Sequence, residues 1–89
     1  MVNRAFLISG RVQGVFFRDS TKKEALKLGL QGSAVNLSDG SVKVCLKGEN
    51  EDIDLLERWL QIGPELAQVE SVIEVAIDQQ LELNDFKVG

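Results

Sequence analysis

Residues 3–28 read NRAFLISGRVQGVFFRDSTKKEALKL and join three segments of different character. An apolar, strand-like run comes first, and a segment with apolar residues at helical spacing comes last. Between them lies the glycine loop, Gly10-Arg-Val-Gln-Gly-Val-Phe-Phe-Arg18, with two glycines and two arginines. This order predicts a strand at Asn3–Ser9, a loop at Gly10–Phe16 and a helix at Phe17–Leu28.

The rest of the chain alternates between strand-like and helix-like segments. A turn signal at Asp39-Gly40 lies between two apolar runs and predicts a β-hairpin. A second helix is predicted after Asn50, whose side chain is expected to cap it, and Gly63-Pro64 is expected to end it. The predicted segments are strands at Gln31–Leu37 and Ser41–Lys47, a helix at Glu51–Gln61, a strand at Val69–Ile77 and a short strand at Phe86–Val88.

Periodicity predicts which side chains share a face. The first helix is predicted to turn Phe17, Thr21, Ala25 and Leu28 to one side. The third strand is predicted to turn one way Val42, Val44 and Leu46, and the other way Ser41, Lys43, Cys45 and Lys47. The fourth strand is predicted to line one side with Val69, Ser71, Ile73, Val75 and Ile77, and the other with Glu70, Glu74 and Asp78. These patterns are typical of a sheet covered on one face.

The order of these segments is that of an α+β, ferredoxin-like βαββαβ sandwich, with two helices packed on one face of an antiparallel sheet. The first two strands then point the same way, because the first helix returns the chain between them. We therefore expect Asn36, near the end of the second strand, to lie beside the glycine loop. Eighty-nine residues are enough for one domain, which we predict to span residues 1–89.

The glycine loop has the features of an anion-binding site. A glycine-rich connection from strand to helix exposes successive main-chain N–H groups, and the helix N-terminus adds a partial positive charge. Arg18 adds a planar guanidinium that can bind a phosphate through two parallel hydrogen bonds. The loop matches neither the Walker A nor the dinucleotide-binding pattern, so a simple turn is the alternative explanation. A cation in the first helical turn opposes the helix dipole unless an anion compensates it, which favours anion binding.

The chain contains no histidine and a single cysteine, Cys45. The usual zinc sites and the Ser-His-Asp and Cys-His catalytic groups are therefore excluded. Carboxylates at Glu49, Glu51 and Asp52 are better explained as residues of a helix start than as a metal site. A lone cysteine cannot form an internal disulfide, and this predicts a reducing, cytoplasmic compartment.

The net charge of −4 is unevenly distributed. Residues 1–30 contain six basic and two acidic side chains, whereas residues 31–89 contain four basic and twelve acidic ones. A small basic region on an acidic protein suits a compact anion, and predicts that the chain binds no nucleic acid. No apolar run approaches the roughly 20 residues of a membrane span, so no membrane association is predicted. Nothing in the pattern indicates an obligate interface, and a monomer is expected.

Two separate stretches resemble the signatures of the acylphosphatase family. The glycine loop is similar to the first signature. The second signature is matched by the stretch Gly32-Ser-Ala-Val-Asn-Leu-Ser-Asp-Gly-Ser-Val42, followed by Gly48. Gly63-Pro64, with Ala67, Val69 and Val72, is similar to the family's run into its fourth strand. Together these segments cover nearly the whole chain in the family's order.

The resemblance implies an acylphosphatase that acts on small acyl phosphates and uses no metal or cofactor. It implies that Arg18 is the catalytic, phosphate-binding arginine and that Asn36 orients the attacking water. It also implies that the phosphate is bound by the main-chain N–H groups of Gln13, Gly14, Val15, Phe16, Phe17 and Arg18. The chain departs from the family pattern at Ser33, usually aromatic, at Val35, commonly basic, and at Phe86–Gly89, which lacks a final basic residue.

The chemistry of an acyl phosphate suits these residues. The leaving group is a carboxylate whose conjugate acid has a pKa of about 4, so it departs without protonation. The protein has only to neutralise the phosphoryl oxygens and place a water in line, which needs no histidine. We therefore predict hydrolysis to a carboxylate and inorganic phosphate.

Two other functions fit parts of the sequence. One is a non-catalytic, phosphate- or anion-binding regulatory module on the same fold, which would bind phosphate without hydrolysing acyl phosphates. The presence of both Arg18 and Asn36 argues against it. The other is an RNA-binding sheet, which needs aromatic side chains on its outer strands. The third strand offers instead Ser41, Lys43, Cys45 and Lys47.

Overall fold

The computed structural model describes residues 1–77 and 85–89. Its strands are β1 (Val2–Arg11), β2 (Gln31–Asn36), β3 (Val42–Gly48), β4 (Gln68–Val75) and β5 (Phe86–Val88). Its helices are α1 (Phe17–Lys27) and α2 (Asn50–Leu60). The predicted order of strands and helices is confirmed. Neither helix is long and apolar enough to cross a membrane.

The five strands form one sheet in the order β4-β1-β3-β2-β5. β1 pairs antiparallel with β3 and β4, and β2 pairs antiparallel with β3. The ferredoxin-like sandwich is thereby confirmed. The short β5 pairs in parallel with β2, so the complete sheet is mixed. Two strands joined by a hairpin pair antiparallel. β5 does not pair with β4, the strand before it in the sequence, but lies at the opposite edge of the sheet and pairs with β2, so its pairing can be parallel.

One face of the sheet is buried under the two helices. The alternation predicted for β3 is confirmed, since Val42, Val44 and Leu46 are buried and the residues between them are only partly so. The core comprises Phe6, Ile8, Val12, Val15, Phe17, Ala25, Leu30, Ala34, Val42, Val44, Leu46, Ile53, Leu56, Leu60 and Phe86. Members come from every strand except β4, from both helices and from the glycine loop, so packing of the core sets the position of that loop.

Helix α1 packs on the sheet through residues spaced four apart. Phe17, Thr21 and Ala25 are buried, and the Thr21 hydroxyl is satisfied by donating to the Phe17 carbonyl at 2.7 Å. The helix ends before Gly29, whose φ of 71° is in the left-handed region that favours glycine. Because β1 and β2 are both antiparallel to β3, the carboxyl ends of β1 and β2 and the start of α1 lie at the same edge of the sheet.

The predicted cap of α2 is wrong by one residue. The main-chain carbonyl of Glu49 accepts from the N–H groups of Asp52 at 3.0 Å and Ile53 at 3.1 Å, so Glu49 holds the cap position and Asn50 lies inside the helix. The Asn50 side chain does not cap the helix because it accepts a hydrogen bond from Arg4 at 3.0 Å. A hydrogen bond from Arg4 of β1 therefore overrides the local preference of asparagine for capping a helix.

The fourth strand also departs from its predicted pattern. It ends at Val75, so Ile77 lies outside it, and Asp78 lies outside the described residues. The register of β1 against β4 shifts between Ser9 and Gly10, where a Cβ on Gly10 would lie 2.2 Å from the Gln68 carbonyl oxygen. On either side of this shift Val69 and Val72 both contact the core, whereas Ile73 is 55% exposed. Strict alternation fails because the irregularity inserts a residue into the pleat.

Arg4 joins β1, α2 and β4 through a cluster of ion pairs. Its guanidinium lies 2.7 Å from Asp54 Oδ1, 2.9 Å from Glu74 Oε1 and 3.5 Å from Glu57 Oε1. It also lies 5.3 Å from the centroid of the Phe6 ring. Hydrogen bonds to Glu74 and Asp54 raise the pKa of Arg4, and the bond from Arg4 lowers the pKa of Glu74. Arg4 therefore has a structural role.

We expect Arg4→Met to lower stability at neutral pH and to reduce its dependence on pH on the acid side. Since the pKa of Glu74 is lowered in the folded state, this ion pair stabilises the fold fully above the ordinary glutamate pKa of about 4.3. That contribution is lost as the pH falls through the lowered value. Urea unfolding between about pH 7 and pH 2 should show a steeper decline for the wild type than for the variant.

The control for this measurement is Arg58→Met, which removes an exposed arginine from α2. It should leave both the midpoint and the acid-side slope near those of the wild type. Identical acid-side slopes for the wild type and Arg4→Met would contradict the assigned role of the pair.

Candidate active site

The glycine loop leaves the end of β1 and enters α1 through two left-handed residues. Gly14 has a φ of 73° and Phe16 a φ of 61°. Of the residues that the structure describes, Phe16 is the only non-glycine with positive φ. It occupies the cap position of α1 without a capping hydrogen bond from its side chain. The first N–H groups of α1 are therefore not capped by this residue and can serve an external acceptor.

Buried side chains on either side of these residues hold the loop in place. Val12, Val15 and Phe17 are buried in the core, and the Phe17 ring lies 6.0 Å from that of Trp59. Gly14 and Phe16, by contrast, are exposed. The loop thus alternates between anchored and exposed residues. Gly14 and Phe16 are left-handed and Val15 between them is not, and a backbone that alternates in this way can form anion-binding concavities.

Arg18 lies in the first turn of α1 at the mouth of a small cleft. The cleft has a volume of about 260 Å³. Its lining comprises Val12, Gly14, Phe16, Phe17, Arg18, Asp19 and Val88. One guanidinium nitrogen, Nη1, donates to the main-chain oxygen of Gly89. Among the described residues no carboxylate side chain pairs with Arg18, in contrast to Arg4, which has three such partners.

Asn36 ends β2 at the same edge of the sheet. Its main-chain N–H donates to the Gly89 oxygen at 3.2 Å, the same oxygen that Arg18 contacts. The expected proximity of Asn36 to the glycine loop is thus seen in the structure. The side-chain oxygen of Asn36 is buried and has no hydrogen-bond donor within the part of the chain that the structure describes. A buried amide oxygen without a donor is unfavourable, so a donor from solvent or a ligand is needed there.

Gln13 connects the glycine loop to the β2–β3 hairpin. Its side-chain nitrogen Nε2 donates to the carbonyls of Leu37 at 2.8 Å and Ser41 at 2.9 Å. Sequence reasoning assigned Gln13 only a main-chain role and missed this bridge. The signal available was weak, because a glutamine in a loop is ordinary and its partners are main-chain groups more than twenty residues away.

The hairpin that Gln13 contacts is itself well ordered by hydrogen bonds. Leu37 N–H donates to the Ser41 carbonyl at 2.8 Å, and Gly40 N–H donates to the Leu37 carbonyl at 3.2 Å. The Asp39 carboxylate accepts from the hydroxyl and the N–H of Ser41, and these bonds lower the pKa of Asp39. The hairpin predicted from Asp39-Gly40 is confirmed, and it gives Gln13 a fixed support.

The last residues of the chain also contribute to the site, which sequence reasoning did not foresee. Gly89 N–H donates to the Ala34 carbonyl at 3.0 Å, and this extends the pairing of β5 beside β2. The pairing places the Gly89 oxygen between Arg18 and Asn36 and brings Val88 to the cleft. Nothing in the sequence pattern of residues 86–89 indicates this location.

The groups gathered at this edge are guanidinium, amide and main-chain N–H groups. Within residues 1–77 and 85–89, no three side chains of the His, Cys, Asp and Glu types come close enough to hold a metal ion. Asp19, the acidic residue of the lining, lies 3.7 Å from the Lys23 ammonium. The site is therefore equipped to neutralise an anion of small size and to hold a polar molecule beside Asn36.

Comparison with known proteins decides the family. The family model described as Acylphosphatase matches residues 4–88. The chain belongs to the acylphosphatase family. A curated acylphosphatase of Alkalilimnicola ehrlichii is 50% identical over 78 residues, which are 88% of this chain and 88% of that protein. This similarity identifies the chain as an enzyme of the acylphosphatase type, a hydrolase of acyl phosphates.

Solved acylphosphatase structures share the fold over almost the whole chain. The acylphosphatase from Bacillus subtilis superposes with a TM-score of 0.92 at 25% identity, covering 100% of this chain and 99% of that one. The acylphosphatase from Coxiella burnetii has a TM-score of 0.84 at 39% identity, covering 98% and 90%. The glycine loop and Asn36 thus lie on the acylphosphatase scaffold.

We expect Gln13→Met to loosen the link between the glycine loop and the hairpin. Methionine has nearly the same shape but donates no hydrogen bond, and each carbonyl keeps one donor from the hairpin. The free energy of unfolding should therefore fall by roughly 1–2 kcal/mol. Urea denaturation measures it, with Gln61→Met at the exposed end of α2 as the matched control. Equal losses in the two variants would show that the bridge does not stabilise the fold.

Proposed function

We propose that this acylphosphatase hydrolyses the carboxyl–phosphate bond of small acyl phosphates with Arg18 and Asn36 in distinct roles. Arg18 and the main-chain N–H groups of Gln13–Arg18 bind the phosphoryl group, and Asn36 orients the attacking water. The observation that carries this assignment is the convergence of Arg18 and Asn36 on a single oxygen, that of Gly89. The same edge carries the left-handed glycine loop.

Binding of the phosphate is supported by the Gly89 oxygen, which already accepts hydrogen bonds at this edge of the sheet. The guanidinium of Arg18 and the N–H of Asn36 hold one main-chain oxygen between them. A phosphoryl oxygen is negatively charged and is an acceptor of the kind that a guanidinium and a main-chain N–H bind. The left-handed residues Gly14 and Phe16 orient the loop amides for the remaining phosphoryl oxygens. Because no carboxylate side chain of the described residues pairs with Arg18, its charge is available to the substrate.

Orientation of the water is supported by the side chain of Asn36. Its buried oxygen needs a hydrogen-bond donor, and a water molecule is the smallest donor that also carries a nucleophilic lone pair. Asn36 is held by the sheet ladder through its pairing with Val42, and the Gln13 bridge fixes the loop against the same hairpin. The water and the phosphate are thereby held in one geometry, which is the main catalytic contribution available in phosphoryl transfer.

The reaction then requires no acid or base from the protein. The water oxygen forms a bond to phosphorus while the bond from phosphorus to the carboxylate oxygen breaks, and the electron pair leaves with the carboxylate. An amide is too weak a base to take the proton of the water, so a phosphoryl oxygen of the substrate accepts it. A carboxylate with a conjugate-acid pKa of about 4 departs as an anion. This sequence is compatible with a chain without histidine.

The size of the cleft supports a small-molecule substrate. A volume of about 260 Å³ accommodates a phosphate with a compact acyl group. The basic charge near α1 and the acidic charge elsewhere favour small anions over nucleic acid. We include in the proposal a cytoplasmic monomer. The single Cys45, which cannot form an internal disulfide, supports a reducing compartment. Sedimentation of the purified protein tests the monomeric state.

We expect Arg18→Ala to weaken inhibition by inorganic phosphate about tenfold to a hundredfold and to lower kcat/KM at least as much. A charge-assisted hydrogen bond contributes roughly 1.5–3 kcal/mol and more in the transition state. The measurement is competition of inorganic phosphate against benzoyl phosphate hydrolysis. Arg58→Ala on the exposed face of α2 is the matched control and should retain both parameters.

We expect Asn36→Ala to lower kcat about a hundredfold or more, a loss similar to that of a removed oxyanion-hole donor. Inhibition by inorganic phosphate should change by no more than about twofold, because the substitution leaves the main-chain N–H in place. The same competition assay separates the two parameters. An equal loss of phosphate affinity in Asn36→Ala and Arg18→Ala would disprove the separate roles.

We expect turnover of benzoyl phosphate to be unchanged by a strong metal chelator, since Arg18 and main-chain groups neutralise the phosphate. Initial rates with and without chelator provide the test. Loss of activity that added Mg²⁺ restores would contradict the proposed mechanism. Phosphate binding without any hydrolysis would instead identify an anion-binding module.

A further inference from the structure

Phe16 is a large apolar side chain whose position the packing of the core does not explain. It has a φ of 61°, which is unfavourable for an aromatic residue, and the residue is 74% exposed. It therefore gains little burial in return for a strained backbone. Glycine or asparagine would adopt this conformation at lower cost. Strain that does not serve packing is found chiefly at functional sites.

The ring lies at the same cleft as Arg18. Phe16 immediately precedes α1, and it lines the cleft together with Val12 and Val88. Val88 belongs to β5, at the other end of the sequence, and is 40% exposed. Two exposed apolar side chains from distant parts of the chain thus border the site beside its cationic group. Of the neighbouring residues Phe16 and Phe17, only Phe17 packs in the core.

The geometry of displacement places the acyl group on the open side of the site. In an in-line reaction the leaving group departs from the side of phosphorus opposite the attacking water. The side-chain oxygen of Asn36, beside which the water is placed, is buried. The acyl group therefore faces the solvent-accessible part of the cleft, where Phe16 is the most exposed apolar side chain of the lining.

From these observations we infer that Phe16 and Val88 form an acyl subsite that selects uncharged, apolar acyl groups, with aromatic acyl groups preferred. This inference rests on the proposed function, because it concerns the leaving group of the same reaction. An aromatic acyl group can stack or pack edge-to-face on the Phe16 ring, whereas an acetyl group is too small to cover it. The preference follows from area buried against the ring and Val88.

The test compares benzoyl phosphate with acetyl phosphate, because both share the phosphoryl group and differ only in the acyl group. The measured quantity is the ratio of their kcat/KM values in each variant. In Phe16→Asn, which tolerates a left-handed backbone, this ratio should fall about fivefold. Phe16→Tyr should retain the ratio of the wild type. Val88→Ala should lower it about twofold without changing the glycine loop.

Leu26→Ala is the matched control, since Leu26 is an exposed apolar residue of α1 that does not line this cleft. It should leave the ratio unchanged. Inhibition by inorganic phosphate is measured in every variant to report on the phosphate site. If Phe16→Asn fails to fold, the ratio in Val88→Ala decides the question.

The outcomes distinguish this inference from the proposed function. If the wild type hydrolyses neither substrate, both fail. If it hydrolyses both and the ratio is unchanged in Phe16→Asn and Val88→Ala, the acyl subsite is refuted and the proposed function stands. An equal loss for both substrates in Phe16→Asn, together with weaker phosphate inhibition, would mean that Phe16 acts through the loop main chain, which also refutes the subsite.

Discussion

Burial of one face of the sheet under α1 and α2 is the constraint on which the rest of the structure depends. To cover that face, α1 must run back across the sheet between β1 and β2, so these strands point the same way. Their carboxyl ends then share an edge with the N-terminus of α1. The glycine loop, Asn36 and the β2–β3 hairpin lie together as a consequence of this packing.

Two unfavourable local features lie at that edge. Phe16 combines a left-handed backbone with an exposed ring, and the Asn36 side chain has a buried oxygen without a donor among the described residues. Such features persist only where the surrounding structure is stable enough to maintain them. Here the buried Val15 and Phe17 anchor the loop on both sides of Phe16, and the Gln13 side chain ties it to the hairpin.

Arg4 in β1 and Arg18 in α1 illustrate how environment separates structure from function. Arg4 is surrounded by carboxylates and an aromatic ring, so its charge is compensated within the fold. Arg18 contacts a main-chain oxygen, and no carboxylate side chain of the described residues pairs with it. The charge of Arg18 therefore remains available for an anionic ligand. In a chain without histidine, Arg18 and the loop amides are the groups on which phosphate chemistry can depend.

Tertiary contacts overrode local preferences at particular residues. Asn50 is a good capping residue by type, yet Arg4 draws its side chain away and Glu49 takes the cap. Ile73 alternates as a buried residue would, yet the irregular register near Gly10 leaves it exposed. Gln13 and Gly89 make their contacts at the site with groups that are far away in the sequence. The type of a residue does not indicate such distant partners.

The amino-acid sequence by itself determined the order of strands and helices, the buried face of β3, the hairpin and the family. These follow from periodicity, turn residues and motif spacing, which are local properties of the chain. Only the tertiary structure decided the parallel pairing of β5, the bridge from Gln13, the place of Gly89 between Arg18 and Asn36, and the exposure of Phe16. The physical reason is that long-range hydrogen bonds and burial depend on how the elements pack together.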